Sequence, residues 1–366
     1  MKKQKRWIFI LAMMLVLSIS MSGCGQSAST KPAAEESKTN TDESQKGMRT
    51  VTDMVGREIQ IPEKITKVGY NANQFTTLTV LGAEDLTSVA GAGAFDFFKR
   101  FDDRFEDLKF TTFEEDPPDT EIVLSAAPDV FFLRATTPDD ERIAPLEEAG
   151  IPVYVEYGHT EDSIVPHVRA MAEALGEQKY KDAAEKYAEY YNGVKDDIAE
   201  RTKDIPEEDK PTVLMFWPRE DGTYGATSAQ HITGQSVTIA GGKVVGDFDA
   251  PTDVNVEQVL EWNPDVIIVM DTKDVYDEVI ARPELQNLSA IQNGRVYCQP
   301  THIQMPYTEE FPVFQRWVAK VLYPEIFTDV DFKADIKAFA TDYYHMELPD
   351  SFLDDMEQGV AIPFKK

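Results

Sequence analysis

Seven side chains suited to binding a small molecule follow short apolar runs of this sequence. They are three aromatic residues, two arginines and two histidines: Tyr70, Trp217, Tyr307, Arg134, Arg219, His231 and His302. Aromatic rings stack on flat or ring-bearing molecules, and a guanidinium donates two parallel hydrogen bonds to a carboxylate or catecholate. If the apolar runs are parallel strands, these residues follow the carboxyl ends of the strands, where open α/β sheets bind ligands.

Three histidines, with Asp271 as a possible fourth ligand, are candidates for metal ligation. His159, His231 and His302 all follow predicted strands, and imidazole is a common ligand of haem iron and of divalent metals. They lie far apart in the sequence, and no two of them form a local metal-binding motif. They are therefore weak metal candidates, and the sequence predicts no resident metal.

Strands and helices must alternate along the chain to position these residues. Short apolar runs such as 130–133 and 153–156 are separated by helical stretches, and the same alternation returns after Pro211. This pattern predicts two α/β lobes with mainly parallel sheets. We predict a first lobe over 49–177, a connecting helix over 178–205, and a second lobe with terminal helices over 206–366. In the connecting segment, apolar residues spaced three and four apart from Tyr180 to Ile198 predict one long amphipathic helix.

One short unit occurs twice. Residues 119–133 and 255–269 align without a gap and share a glutamate, a Val-Leu pair and Pro-Asp-Val before an apolar run. In each copy the glutamate, Glu121 or Glu257, is predicted early on a short helix, and Pro-Asp turns the chain into a buried strand. Because the apolar pattern buries the opposite side of the helix, we expect both carboxylates to face solvent. A favourable charge near a helix N-terminus is the simpler explanation of each glutamate alone.

The N-terminal segment predicts secretion and lipid anchoring. Residues 1–23 combine a cationic head with an apolar stretch, which is typical of a signal peptide. Met21-Ser22-Gly23-Cys24 resembles a bacterial lipobox, in which the cysteine is lipidated, and an ordinary cleavage site is the alternative. Residues 24–48 are polar and predict a disordered tether.

The net charge limits the binding partners of this protein, and the number of cysteines limits its disulfides. A formal net charge of −29 argues against nucleic acid or anionic lipid as a partner. The only cysteines are Cys24 and Cys298, so a lipidated Cys24 leaves no disulfide.

From Thr50 onward the chain resembles the substrate-binding proteins of ABC importers, in the ferric-siderophore, haem and cobalamin branch. The stretches that carry the resemblance are "TVTDMVGREIQIPEKITKVGY", "VNVEQVLEWNPDVIIVM", "AIQNGRVYCQP" and "WVAKVLYPEIF". The family implies two doubly wound lobes joined by one long rigid helix, with a ligand cleft between the lobes. It implies capture of an iron chelate or corrinoid and delivery to an ABC permease dimer with its ATPase.

The resemblance also implies a role for the repeated glutamates. In that family an acidic residue on each lobe docks into arginine pockets of the permease, and Glu121 and Glu257 match these positions.

We expect a monomer on the outer face of the cytoplasmic membrane, with no covalent cofactor except the lipid on Cys24. The alternatives are a binding protein for a bare metal ion or a molybdate-type oxyanion, a secreted enzyme on the same scaffold, and a surface receptor that does not transport. No G-x-S-x-G, H-E-x-x-H or P-loop motif occurs in the sequence.

Lipidation predicts a clear outcome for Cys24→Ala. Without the thiol the mature protein has no anchor, so we expect it to be released in soluble form into the medium or periplasm. Membrane fractionation and immunoblotting of cells producing either form measure this release. A variant that stays in the membrane fraction contradicts the lipobox interpretation.

Overall fold

The computed structural model describes residues 47–93, 96–115, 118–157, 160–246, 248–303 and 308–362. The predicted signal peptide, Cys24 and nearly all of the predicted tether lie outside these residues. Within the described ranges, no helix has both the length and the apolar character needed to cross a bilayer.

The first sheet is fully parallel and comes from the first half of the chain. It is preceded by a separate antiparallel hairpin of β1 (Met48–Thr52) and β2 (Glu58–Pro62). The five strands of the sheet are β3 (Val68–Tyr70), β4 (Thr87–Gly91), β5 (Thr111–Phe113), β6 (Val130–Arg134) and β7 (Val153–Glu156). Their order is β5-β4-β3-β6-β7. The order runs outward from β3 in both directions, as in doubly wound sheets, and therefore creates a crevice at the carboxyl ends of the strands.

The second sheet is mixed. Its strands are β8 (Thr212–Pro218), β9 (Tyr224–Ala226), β10 (Lys243–Val244), β11 (Thr252–Val254), β12 (Val266–Val269) and β13 (Val296–Cys298). The path is β11-β9-β8-β12-β13, with β10 also paired to β8. β9 is antiparallel to β8, to which a hairpin joins it, and to β11, while the other pairings are parallel. The second lobe is thus less regular than the alternating pattern predicts.

Thirteen helices are described. Those before the second sheet are α1 (Gln74–Leu81), α2 (Asp96–Lys99), α3 (Thr120–Ala126), α4 (Ile143–Glu148), α5 (Glu161–Leu175) and α6 (Gln178–Thr202). The others are α7 (Ile232–Ile239), α8 (Val256–Trp262), α9 (Lys273–Ile280), α10 (Ser289–Gln292), α11 (Phe311–Leu322), α12 (Phe332–Tyr343) and α13 (Asp350–Glu357).

The long helix α6 has the apolar stripe that the sequence predicts. Its 25 residues extend roughly 37 Å, and Tyr180, Tyr187, Tyr191, Val194 and Ile198 are all buried. The same continuous core contains strand residues from both sheets. The long helix is therefore packed against both lobes rather than exposed between them, and it lies within the segment 178–205 predicted to connect them.

The repeated unit has the same local structure in both copies. α3 and α8 begin after an N-capping side chain: Asp119 accepts from the Glu121 amide, and Asn255 accepts from the Gln258 amide. Both helices end on a residue in the left-handed conformation, Ala127 (φ 49°) and Asn263 (φ 40°). A left-handed C-terminal residue stops the helix at once, so Pro-Asp can lead directly into the strand.

The Pro-Asp aspartates fasten each unit to its sheet. One carboxylate oxygen of Asp129 accepts from the Thr66 amide (2.6 Å), the Thr66 hydroxyl (2.9 Å) and the Lys67 amide (2.9 Å), just before β3. Asp265 accepts in the same way from the amide and hydroxyl of Thr212, the first residue of β8 (2.8 and 2.7 Å). Each aspartate thus sets the start of its own strand, β6 or β12, beside the start of the neighbouring strand.

Candidate functional site

A small polar cavity lies where the carboxyl ends of the first sheet meet the chain that enters α11. Its volume is about 20 Å³, enough for about one water molecule. Its lining residues are Asn73, Gln74, Thr76, Thr77, Arg134, Glu156, Ile164, His167, Thr308 and Glu309. The cavity is too small for a transported solute, and we call its polar lining the floor.

A buried imidazole forms the centre of this floor. His167 of α5 places Nδ1 2.7 Å from Oε2 of Glu156, at the end of β7. Its Nε2 lies 2.9 Å from the hydroxyl of Thr77 on α1, and that hydroxyl donates a short hydrogen bond to Glu309. Since the single hydroxyl proton goes to Glu309, Thr77 must accept from Nε2–H. Nδ1 lies within ion-pair distance of Glu156, so we assign His167 as an imidazolium that is paired directly with Glu156 and, through Thr77, with Glu309.

The pKa values of the pair agree with this assignment. Burial alone favours the neutral carboxyl of Glu156, but the charge and hydrogen bond of His167, with Arg134 and Gln74, outweigh burial and lower the pKa. Burial likewise opposes the charged imidazole, yet Glu156 and Glu309 raise the pKa of His167 despite the opposing Arg134. The Nε2 amide of Gln74 completes the arrangement by donating to Glu156 at 2.6 Å.

The floor also joins separate parts of the fold. Glu309 precedes α11, whereas Thr77, Glu156 and His167 belong to elements of the first lobe. The hydroxyl of Tyr187, on α6, donates to the backbone carbonyl of Glu309 at 3.0 Å. One short segment before α11 is therefore held by both the first lobe and the long helix.

Tyr70 and His302 require correction as candidate ligand contacts. The side chain of Tyr70 is fully buried, and its hydroxyl faces Thr87, 3.4 Å away. His302 contacts Glu310 (3.2 Å) and meets the rings of Phe314 and Phe332 edge-on, with only 1% of its side chain exposed. Both residues do follow strands, but their side chains point into the core rather than towards the crevice.

Arg134 lies at the predicted position, whereas Arg219 does not offer a free charge. Arg134 ends β6, is half-buried and lines the cavity, and its backbone amide donates to the side chain of Asn71 (2.8 Å). Arg219 is exposed on the β8–β9 hairpin, where Asp253 accepts from its Nε at 3.0 Å. Arg134 therefore stays a candidate ligand contact, whereas the guanidinium of Arg219 is paired with Asp253.

Trp217 is half-buried on the strand that leads into the same hairpin. Its indole lies against Gly225, its partner across the hairpin, where a Cβ would come within 2.2 Å of the ring. The guanidinium of Arg219 lies 5.3 Å from the centre of the indole. Gly225 therefore provides the space that fixes the orientation of Trp217.

His231 caps the start of α7 with its ring. Its Nδ1 accepts from the Thr233 amide at the start of α7 (3.4 Å) and lies 2.8 Å from the Thr233 hydroxyl. An accepting Nδ1 leaves the proton on Nε2, and burial lowers the pKa of this histidine. Within the described ranges, no group of three or more His, Cys, Asp or Glu residues is suited to holding a metal ion. His159 and Tyr307 lie outside those ranges.

The two repeated glutamates are exposed, as expected. Glu121 and Glu257 occupy the same position in the first turns of α3 and α8. α3 follows β5, so it begins at the carboxyl edge of the parallel first sheet. α8 follows β11, which runs in the direction of β8 because each is antiparallel to β9. Topology thus puts both helix N-termini at the carboxyl edges of their sheets.

Comparison with known proteins decides the family. Residues 68–301 match the family model described as periplasmic binding protein. The chain belongs to the periplasmic binding protein family. The molybdate-binding protein MolA of Haemophilus influenzae is 25% identical over 81% of this chain and 90% of its own length. This protein is thus an extracytoplasmic solute-binding protein of an ABC transporter.

Solved structures of this family share the two-lobe fold. The MolA structure with bound molybdate has a TM-score of 0.68 at 21% identity, over 82% of this chain and 99% of MolA. A periplasmic solute-binding protein of Veillonella parvula has a TM-score of 0.72 at 21% identity (85% and 97% covered). The TroA-like binding protein FepB of the same organism has a TM-score of 0.68 at 22% identity (82% and 97% covered).

Sequence reasoning missed the residues that form the floor of this binding protein. His167 appears only as one residue of a helix, and Thr77 and Glu156 belong to otherwise apolar segments. One signal was available: Glu309 and Glu310 stand together immediately before the apolar run of α11, where burial of a carboxylate requires a partner. The sequence does not identify that partner, since His167 is distant along the chain.

We expect His167→Gln to lower the free energy of unfolding by about 3 kcal/mol, because it removes the cation that is paired directly with buried Glu156. The raised pKa of His167 makes its contribution complete below pH 6.5 and lost as the pH rises through the folded-state pKa. The lowered pKa of Glu156 makes its contribution complete above pH 4.5 and lost as the pH falls below that value.

Urea unfolding of wild type and variant across this pH range measures the difference, which is expected to be largest between about pH 4.5 and 6.5. The control is His345→Asn, because His345 is exposed and has a positive φ that asparagine tolerates. A difference that stays constant with pH contradicts the imidazolium assignment.

Proposed function

We propose that this binding protein captures an anionic metal compound in the cleft between its lobes and delivers it to an ABC permease. The first candidate is an iron chelate, either a ferric siderophore or haem, or a corrinoid. The observation that carries the proposal is the position of Arg134, at the end of β6 and opposite the Thr308–Glu309 segment that enters α11.

The exposure of the charges at the floor supports an anionic ligand. Glu156 and Glu309 are buried, with 3% and 4% exposed, whereas Arg134 is half-buried. The two carboxylates are also engaged by His167, Thr77 and Gln74. Arg134, whose charge also helps to lower the pKa of Glu156, is thus the most exposed of these three charged groups. Cation placement of this kind favours carboxylate, catecholate or oxyanion groups.

The second lobe provides aromatic and donor groups for the same ligand. Trp217 is partly exposed at the end of β8 and held flat on Gly225. His231 adds a polar imidazole at the start of α7. An indole face suits a ring-bearing chelate better than it suits a bare cation. This supports the iron-chelate or corrinoid proposal over capture of a bare metal ion.

A molybdate-type oxyanion is the second candidate. The specific observation in its favour is the similarity to MolA, which extends over most of both chains. An oxyanion requires several hydrogen-bond donors and no aromatic surface. Arg134 would serve either candidate, whereas Trp217 would contribute only to the larger chelate.

Direct binding separates the two candidates. Ferric catecholate and hydroxamate siderophores, haem, cobalamin, molybdate and tungstate are each titrated into the purified protein by calorimetry and tryptophan fluorescence. An iron chelate or corrinoid is expected to quench the fluorescence of the wild-type protein but not that of Trp217→Phe. The control variant is Trp317→Phe, which should still be quenched, because the Trp317 ring of the wild type stacks on Phe314. Binding of molybdate alone establishes the second candidate, and binding of none of these compounds contradicts the proposal.

Arg134→Ala is expected to weaken binding of the ligand so identified by about 10- to 150-fold, the loss of one charge-assisted pairing. Arg219→Ala is the matched control, because Asp253 already neutralises Arg219, and we expect a change of less than about threefold. Equal losses in both variants would remove Arg134 from the site.

We further propose that the protein docks on its permease through Glu121 and Glu257, anchored to the outer face of the membrane through Cys24 and acting as a monomer. Both carboxylates are exposed at the first turn of equivalent helices, one in each lobe. A pair of lobes that offers one carboxylate apiece is complementary to a permease dimer with one cationic pocket per subunit.

The double variant Glu121→Gln/Glu257→Gln is expected to bind ligand normally and to lose most stimulation of the transporter ATPase, with smaller losses in the single variants. Exposed Glu220→Gln is the control, since Glu220 lies in the β8–β9 turn. Full stimulation by the double variant rules out the docking role of the two carboxylates.

A further inference from the structure

Two exposed leucines repeat together with the two glutamates. Three large hydrophobic side chains of the described residues are clearly exposed: Leu124 (44%), Leu260 (39%) and Ile326 (37%). Leu124 lies on α3 and Leu260 on α8, each three residues after the repeated glutamate. Residues three apart on a helix lie on the same face, so each lobe presents an exposed carboxylate and an exposed leucine together.

Folding accounts for the other residues that the two copies share. Val123 and Val259 are buried against the core, Pro128 and Pro264 are buried at the turn, and the Pro-Asp aspartates hold the neighbouring strands. The shared valine after each aspartate begins β6 or β12. Of the six shared residues, only the glutamate and the leucine are exposed in both copies.

An exposed leucine needs no explanation alone, because much of any protein surface is apolar. Two leucines at equivalent positions, beside equivalent carboxylates and at corresponding edges of two sheets, do need one. We infer that Leu124 and Leu260 are the apolar anchors of a single docking surface, each inserting into a hollow beside a cation on the two-fold face of the permease dimer. This inference rests on the proposed function and extends it from charge pairing to buried apolar contact.

The chemistry of the surface selects this partner over a second copy of the chain. The net charge is −29, and both leucines are flanked by a glutamate, so self-association would bring like charges together. A partner with two equivalent sites is needed to engage both lobes at once, and a two-fold dimer supplies them. Carboxylates steer such an encounter, whereas a desolvated leucine slows dissociation.

The test measures affinity for the permease, not only transport. The full-length protein in detergent micelles is titrated by biolayer interferometry onto the permease–ATPase complex of its own transporter, held in nanodiscs. Leu124→Gln and Leu260→Gln are each expected to raise Kd by about fivefold to tenfold, and the double variant by roughly the product, because distant sites add. Glutamine keeps the helix propensity, so the urea midpoint and ligand affinity should equal those of wild type.

Two controls separate a specific anchor from a general surface effect. Ile326→Gln changes the third exposed hydrophobic, which lies outside α3 and α8, and should leave Kd unchanged. Leu124→Met/Leu260→Met retains apolar side chains and should keep Kd within about twofold of wild type. Equal losses for Ile326→Gln and the leucine variants overturn the inference.

The outcomes also distinguish a failure of the leucine anchors from a failure of the proposed delivery to the permease. If the double leucine variant binds like wild type while Glu121→Gln/Glu257→Gln loses affinity, docking stands and the leucine anchors are refuted. If the wild-type protein does not bind the permease at all, the proposed delivery role fails, and the leucine inference fails with it.

Discussion

The apolar seam along α6 is the constraint on which the rest of this structure depends. Tyrosines and aliphatic residues of this helix are buried in a core that also contains strand residues of both sheets. Separating the lobes would expose large aromatic side chains, which is costly in proportion to the apolar area uncovered. The lobes are therefore held by one continuous core, and a cleft between them is bounded by rigid parts.

The charged floor adds directional contacts to the apolar packing along α6. Apolar contact is not directional, whereas the imidazolium of His167 fixes Glu156 on one side and, through Thr77, Glu309 on the other. Every partner is needed, because a buried charge without compensation is more costly than the pair is favourable. The segment that enters α11 is thereby set at a defined position opposite Arg134.

The duplicated helix-turn-strand unit both packs against its sheet and presents exposed residues at the edge of that sheet. Its buried valine, proline and aspartate attach a helix and a strand to a sheet, and the same geometry leaves the first turn of the helix at the carboxyl edge. Residues presented there are free to interact with a partner because they contribute little to packing. Because the unit occurs in both lobes, the binding protein has two similar exposed surfaces, one on α3 and one on α8.

Patterns that are local in the chain were predictable from the sequence. The stripe of α6 follows from apolar residues three and four apart, the two sheets follow from alternating strands and helices, and the exposure of Glu121 and Glu257 follows from the buried side of their helices. Each of these depends on a periodicity carried by neighbouring residues.

Only the tertiary structure decided which polar residues meet. Following a strand was a sound reason to propose Tyr70 and His302, but the direction of a side chain depends on what packs around it, and both point into the core. His167 looked like an ordinary helical residue until packing brought it between Glu156 and Thr77. Thr77 and Glu309 are 232 positions apart, and no pattern in the sequence relates residues that only the closed core brings together.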